Sequence, residues 1–209
     1  MEALCEVRRE DPAALATLPA RQLRAGMAEA LKHGIVADAA YLERTVAALP
    51  GLLGEGGAGS AAMEALVRRS IEIKQATVAR DEREAGLRRI LNFGHTLGHA
   101  LELVSGWSLL HGEAVAIGMV LEAEAAERAG VADAGTAARV RASVLAAGLP
   151  GSRPAEVDAE AVLAATRGDK KARAGAVEYA LPARIGAMAG GERGWSIPLP
   201  DPLVRQVLA

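Results

Sequence analysis

Aromatic residues and cysteine are scarce in this chain. Its 209 residues include two tryptophans, two tyrosines, one phenylalanine and a single cysteine, Cys5, and β-branched residues are also sparse. This composition favours helix over strand and requires an aliphatic core with close contacts between helices. One cysteine excludes an internal disulfide framework and a multi-cysteine zinc site, and it fits a reducing cytosol.

The chain also lacks a strong net charge and long hydrophobic runs. Its formal net charge is −2 at pH 7, which gives no electrostatic reason to expect nucleic acid or an anionic membrane as a partner. No apolar run reaches the roughly 20 residues that span a bilayer, and the N-terminus lacks the apolar core of a signal peptide. We therefore expect a soluble, cytoplasmic protein.

Hydrophobic periodicity predicts an all-α fold, a mainly helical bundle with a small C-terminal β-hairpin. An alternating segment at 176–188 predicts the hairpin. The predicted helices span Ala20–Ala37, Asp38–Leu49, Ala61–Arg80, Leu87–Val104, Gly112–Ala129, Gly135–Ala147 and Ala159–Thr166, with one more short helix at the C-terminus.

Three of the four histidines lie close together in sequence, at His95, His99 and His111. On a helix, Asn92, His95 and His99 would share one face, because they are three and seven residues apart. Glycines between them would cost a helix roughly 1 kcal/mol each relative to alanine, which indicates that a ligand or another backbone approaches closely there.

A metal site is the better supported interpretation of these histidines. An open zinc site needs three protein ligands, and a carboxylate is an ordinary third ligand beside two imidazoles. Spacing alone leaves Glu29, Glu102 and Glu113 as candidates. The alternative is structural: the histidines cap helices and satisfy buried backbone groups.

Two other patterns are weaker. The loop Gly54–Gly59 matches GxGxxG, but a helix rather than a strand is predicted before it, so we interpret it as a flexible connector rather than a nucleotide site. Glu29 and His33 form half of an HExxH motif, and the second histidine is absent.

Four ordered blocks resemble the C-terminal half of 3-dehydroquinate synthase, within the sugar-phosphate cyclase superfamily. The blocks are RAGMAEALKHGIV at 24–36, IKQATVARDEREAGLRRILNFGHTLGHALE at 73–102, LHGEAVAIGM at 110–119 and DKK at 169–171. The resemblance implies a dehydroquinate synthase-like C-terminal domain over residues 18–209, which binds metal and substrate, preceded by a poorly matching segment, 1–17.

The resemblance also implies a role for individual residues. Glu29, His95 and His111 match the family's ligands for Zn2+ or another divalent ion such as Co2+. Lys32 matches a lysine of the active site, and the residues that match the family's substrate-binding groups are Lys74, Arg88, Asn92, His99 and either Lys170 or Lys171. Among these, Lys32, Asn92 and His99 are implied to take part in catalysis, Lys74 and Arg88 to bind the substrate carboxylate, and Asn92 and His99 to lie near its phosphate.

The implied activity is that of a phosphate-eliminating lyase of the shikimate pathway. The family converts 3-deoxy-D-arabino-heptulosonate 7-phosphate, a phosphorylated sugar acid, to 3-dehydroquinate and phosphate with NAD+, and its members are typically homodimers. Nothing in this sequence corresponds to the family's N-terminal NAD-binding domain. A chain cut at the domain boundary, a truncated gene or a natural split protein with a separate NAD-binding partner would each explain this, and we expect the chain alone to bind zinc without turnover.

Two alternatives to this activity stay open. One is a non-catalytic scaffold or regulatory module with the same fold, and the other is a related sugar-phosphate cyclase. Converging cations have no use in a scaffold, since buried unpaired charges are costly. Lys74 and Arg88 argue against cyclases whose substrates, sedoheptulose phosphate or glucose phosphate, have no carboxylate.

Overall fold

Helices dominate the structure, a computed structural model that describes residues 12–167 and 177–209. The α-helices are α1 (Ala20–Ala37), α2 (Ala39–Leu52), α3 (Ala61–Arg80), α4 (His95–Val104), α5 (His111–Arg128), α6 (Thr136–Ala146), α7 (Ala159–Thr166) and α8 (Asp201–Leu208). Short 3-10 helices span Pro12–Thr17, Gly57–Gly59, Leu87–Asn92 and Gly191–Arg193. The predicted all-α class with a small β element is confirmed.

Helix α5 runs through the centre of the bundle. One side, with Val115 and Met119, packs into a core shared with α1, α2, α3 and α6. The other side, with Ile117 and Leu121, packs into a second core shared with α4, α7 and α8. A helix that is apolar around most of its circumference is buried on most sides, and this packing positions the helix that begins at His111.

The β structure is more divided than a single hairpin. Strands β2 (Pro182–Arg184) and β3 (Ala187–Met188) form the antiparallel hairpin expected in 176–188. The preceding strand β1 (Glu178–Tyr179) pairs instead with β4 (Ile197–Pro198). The alternation in the sequence thus predicted strands in this segment. Only β2 and β3 pair with a neighbour in sequence, whereas the partner of β1 comes from the proline-rich segment near the C-terminus.

The predicted histidine helix, Leu87–Val104, is wrong as one continuous element. Its first turns form the 3-10 helix Leu87–Asn92, and the α-helix starts only at His95 after Gly94, whose φ is +79°. That left-handed conformation favours glycine and interrupts the helix. Asn92 therefore does not share a helical face with His95 and His99, contrary to the spacing argument.

Helices α4 and α5 approach each other through glycines. A β-carbon on Gly118 of α5 would lie 2.0 Å from the Gly94 carbonyl oxygen and 2.9 Å from the Gly98 nitrogen. A β-carbon on Gly94 would lie 2.8 Å from the Val115 carbonyl oxygen. The predicted close approach at these glycines is thus a contact between two helix backbones.

The glycine-rich loop at 54–59 follows a helix. Helix α2 ends at Leu52, three residues beyond the predicted end, and includes Pro50 in its last turn. The pyrophosphate-binding turn of dinucleotide folds needs a strand at that place. Across residues 12–167 and 177–209, no helix has both the length and the apolarity needed to cross a bilayer.

Candidate metal centre

Three side chains from three helices meet at one point. Glu29 extends from α1, His95 is the first residue of α4 and His111 is the first residue of α5. One donor atom of each lies within 4.8 Å of the others. The Nε2 atom of His95 is 3.5 Å from Oε1 of Glu29, and the centroids of the two imidazole rings are 5.3 Å apart.

Hydrogen bonds define which nitrogen of each ring is available for a ligand. The Nδ1 atom of His95 lies 3.2 Å from the Phe93 carbonyl oxygen, and Nδ1 of His111 lies 3.1 Å from Oε2 of Glu102. A carbonyl or carboxylate oxygen accepts, so each Nδ1 carries the proton and Nε2 keeps its lone pair. Carboxylates that orient ligand histidines in this way are typical of zinc sites.

The donor set fits a divalent ion such as zinc. Two ligands about 2.1 Å from a tetrahedral ion lie about 3.4 Å apart, and the 3.5 Å between His95 and Glu29 is close to that separation. One carboxylate and two imidazoles also leave a coordination position for water or substrate. These residues would hold the ion with only small side-chain movements.

A partly buried ion pair joins Glu29 to Lys32. The Lys32 ammonium donates to both oxygens of Glu29, at 3.0 and 2.8 Å, and Lys32 is only 2% exposed. Burial alone would raise the pKa of Glu29, but the adjacent ammonium outweighs it and holds that pKa below its usual value. Glu29 is therefore ionised and able to bind a cation at neutral pH.

Burial also keeps the imidazole of His95 neutral. Desolvation, reinforced by the charge of Lys32, lowers the pKa of His95 to about 4. A neutral imidazole is the form that binds metal. His33 is buried as well, with a pKa of about 4, but its Nδ1 faces Ser70 Oγ at 2.7 Å, outside the cluster.

His99 lies at the exposed edge of the cluster. Its ring centroid is 5.3 Å from that of His95 and 5.8 Å from that of His111. With Glu102 and His111 it forms a second group whose donor atoms lie within 4.8 Å of one another. An exposed imidazole beside the centre can contact a bound molecule.

Among the other residues with implied substrate roles, three lie in the described part of the chain, at two places. Lys74, on α3, is exposed; burial lowers the pKa of Lys32, and the charge of Lys74 adds to that effect. The Arg88 guanidinium donates to the Glu82 carbonyl oxygen at 3.0 Å, and the Asn92 amide donates to Glu84 Oε1 at 2.8 Å. Those two side chains thus contact the turn after α3 rather than the histidines. The lysines of the DKK block, Lys170 and Lys171, lie outside the described residues.

Glu113, which spacing left open as a third ligand, is engaged elsewhere. Its carboxylate accepts from the Arg21 guanidinium, at 2.7 Å to each oxygen, and from the Leu110 backbone amide at 2.9 Å. These bonds lower the pKa of Glu113. The signal was present in the sequence: the third residue of a helix is a common place for a glutamate that binds back to the amide before the helix.

Two supporting carboxylates were not predicted. Asp81 accepts from the backbone amides of Ala85, Gly86 and Arg88, and so orders the turn before Arg88. Glu122, inside α5, accepts from two backbone amides at the start of α4. The donors to Asp81 lie within the next seven residues, whereas the donors to Glu122 are 25 and 28 residues away, so only the folded chain brings Glu122 to its donors.

Comparisons with known proteins identify the family of this chain. The family model described as "3-dehydroquinate synthase C-terminal" matches residues 26–172. A 3-dehydroquinate synthase of Thermosynechococcus vestitus is 48% identical over 177 residues, which are 84% of this chain and 48% of the relative. The one from Nostoc punctiforme is 40% identical over 208 residues, 95% of this chain and 53% of the relative. The chain thus spans about half the length of these relatives.

Solved structures with the same fold are sugar-phosphate cyclases. A 2-epi-5-epi-valiolone synthase from Streptomyces hygroscopicus, with NAD+ and Zn2+ bound, matches 95% of this chain and 53% of its own, with a TM-score of 0.80 and 27% identity. A 2-deoxy-scyllo-inosose synthase complexed with carbaglucose-6-phosphate, NAD+ and Co2+ matches 95% of this chain and 55% of its own, with a TM-score of 0.81 and 23% identity, which shows the fold alone. The family model covers more than half of the chain, so the chain belongs to the 3-dehydroquinate synthase family and corresponds to its C-terminal domain.

Proposed function

We propose that this chain is the metal- and substrate-binding half of a 3-dehydroquinate synthase. The reaction converts 3-deoxy-D-arabino-heptulosonate 7-phosphate to 3-dehydroquinate and phosphate, in the shikimate pathway that leads to aromatic amino acids. The observation that carries the proposal is the convergence of Glu29, His95 and His111, with donor atoms within 4.8 Å of one another.

The residues around the centre suit an anionic substrate. When bound, zinc supplies Lewis-acid chemistry at a substrate hydroxyl. Lys32 holds a proton beside Glu29, in a place where it can take part in proton transfer. We assign the substrate carboxylate to Lys74 and Arg88, since cations bind such groups strongly. We assign the phosphate to His99 with Asn92, and a further cationic contact to the DKK lysines.

The identity of the substrate is open to a direct test. Relatives named 3-dehydroquinate synthase are 40–48% identical to this chain, against 27% for the valiolone synthase. With zinc present, Lys74→Met should weaken binding of the heptulosonate phosphate and leave sedoheptulose phosphate binding unchanged, because only the first has a carboxylate. Equal effects on both ligands, or tighter binding of sedoheptulose phosphate, would favour the related cyclase.

The proposed activity also needs a nicotinamide site. Hydride transfer is the chemistry of the NAD+ cofactor, and the strand that a dinucleotide-binding turn requires does not precede Gly54. We propose that a separate domain or subunit supplies NAD+ and that the active assembly is a homodimer in the cytoplasm. The 209-residue chain with added NAD+ should form no dehydroquinate, and robust activity would contradict this.

Metal binding is the decisive experiment. Purified chain should hold about one zinc ion, and both Glu29→Gln and His95→Ala should abolish it. The matched control is Glu113→Gln, which changes another carboxylate that spacing allowed as a ligand but that is bound by Arg21. Absence of zinc from the wild type would support the scaffold alternative. If Glu113→Gln loses zinc and Glu29→Gln keeps it, the ligand set is wrong.

A further inference from the structure

A buried carboxylate lies behind the metal centre. Glu122 is 0% exposed and extends from the middle of α5 toward the start of α4. Its Oε2 accepts from the Gly94 amide at 2.7 Å, and its Oε1 accepts from the Leu97 amide at 3.0 Å. The two amides lie on either side of His95 in the chain, so one side chain fixes the backbone on both sides of a ligand.

The local sequence explains why a residue of α5, Glu122, caps the N-terminus of α4. The first amides of a helix have no partner within it and are usually capped by the side chain of the preceding residue. That residue is Gly94, which has no side chain and makes no such bond. The glycine contact between α4 and α5 brings Glu122 close enough to replace the missing cap.

The charge of Glu122 has a second effect. The N-terminus of a helix carries a partial positive charge, and a nearby carboxylate offsets it. His95 is the first residue of α4, so a divalent ion bound there lies next to that positive end. A carboxylate behind the helix therefore reduces the repulsion between the helix terminus and the ion.

We propose that Glu122 is a positioning residue for metal binding: it holds the backbone around His95 so that Nδ1 donates to the Phe93 carbonyl and Nε2 faces Glu29. The inference rests on the proposed metal centre. Glu122→Gln keeps the size of the side chain and one acceptor, but loses the charge and the second acceptor. The variant therefore tests the charge and the second hydrogen bond without a change in packing volume.

Cobalt titration tests the role directly. Partners that orient a ligand typically change metal affinity by about 10- to 100-fold, and we expect a loss in that range for Glu122→Gln, with an altered visible spectrum of bound Co2+. One control is Glu124→Gln, on the same helix, which removes a carboxylate paired with Arg141. The other is Val140→Ala, a core truncation in α6 that lowers stability. A loss no greater than that of Val140→Ala, with an unchanged spectrum, would overturn the proposal.

A measurement without metal separates this inference from the metal site itself. Nitrogen-15 shifts of the His95 ring in metal-free protein report which nitrogen carries the proton, and we expect Nδ1–H in the wild type and a mixture in Glu122→Gln. If the wild type binds no cobalt, the proposed function fails. The His95 tautomer in the wild type and in Glu122→Gln still shows whether Glu122 positions the ring. If the variant does not fold, hydrogen exchange of the wild-type Gly94 and Leu97 amides decides: slow exchange supports the contact, and exchange at the rate of exposed amides refutes it.

Discussion

Replacing Gly118 with alanine tests the contact that holds the two histidine-bearing helices together. The new β-carbon would lie 2.0 Å from the Gly94 carbonyl oxygen, whereas favourable carbon–oxygen contacts begin at about 3.3 Å. Helices α4 and α5 must therefore separate by roughly 1 Å. Overpacking of this kind costs about 1–3 kcal/mol, and the upper end applies because the opposing atoms are backbone.

The higher helix propensity of alanine, about 1 kcal/mol relative to glycine, offsets part of that cost. The net loss for Gly118→Ala is then about 2 kcal/mol, which for a chain of this size lowers Tm by about 4–8 °C. Calorimetry of the chelator-treated protein measures it. Zinc affinity should fall as well, because His95 and His111 are carried by the two helices that separate.

Gly26→Ala is the matched control for this prediction. Gly26 lies within α1, and a β-carbon there would have no atom within 4 Å. The same substitution should therefore stabilise the protein by about 0.4–1 kcal/mol. The reasoning is refuted if Gly118→Ala unfolds at or above the wild-type temperature, or if both variants change Tm in the same direction by similar amounts.

Two further predictions concern pH. Asp38 accepts a hydrogen bond from the Tyr41 amide at the start of α2 and binds Arg69. The Arg69 guanidinium holds the pKa of Asp38 below its usual value. Asp38→Ala should lower the free energy of unfolding by about 1 kcal/mol at pH 7. Because the folded pKa is the lower one, this difference should shrink as pH falls through it in urea unfolding curves, and a pH-independent difference would contradict the assignment. Burial raises the pKa of Tyr179, so folding favours the protonated phenol and stability should fall above about pH 10. Tyr179→Phe should reduce that alkaline slope, and an unchanged slope between pH 9 and 11 would show that other groups cause it.

Local sequence patterns predicted the helices well where apolar spacing and end signals agree. The bounds of α1, α3 and α7 follow from the sequence, because a proline or a polar cap marks their starts. The break before His95 did not follow. A glycine that costs a helix roughly 1 kcal/mol relative to alanine does not by itself end the helix, and the left-handed φ of Gly94 cannot be seen in the sequence.

The candidate ligands could be selected from the sequence only through the family resemblance. Spacing allowed Glu29, Glu102 or Glu113, since it contains no information on how α1 packs against α4 and α5. The structure brings Glu29 to the histidines and places Glu102 behind His111. Glu122 had no signal at all, because a charged residue within an apolar helix is assigned to the surface until its distant amide partners are known.

The ion pair between Lys32 and Glu29 has a consequence for ligand order. Because the Lys32 ammonium already balances the charge of the Glu29 carboxylate, a dication bound there retains its full double charge. An oxyanion that arrives next compensates that excess, so metal and anion each tighten the other's binding by one common factor. Zinc affinity measured in phosphate-free buffer is accordingly a lower bound on the zinc affinity when an oxyanion is bound.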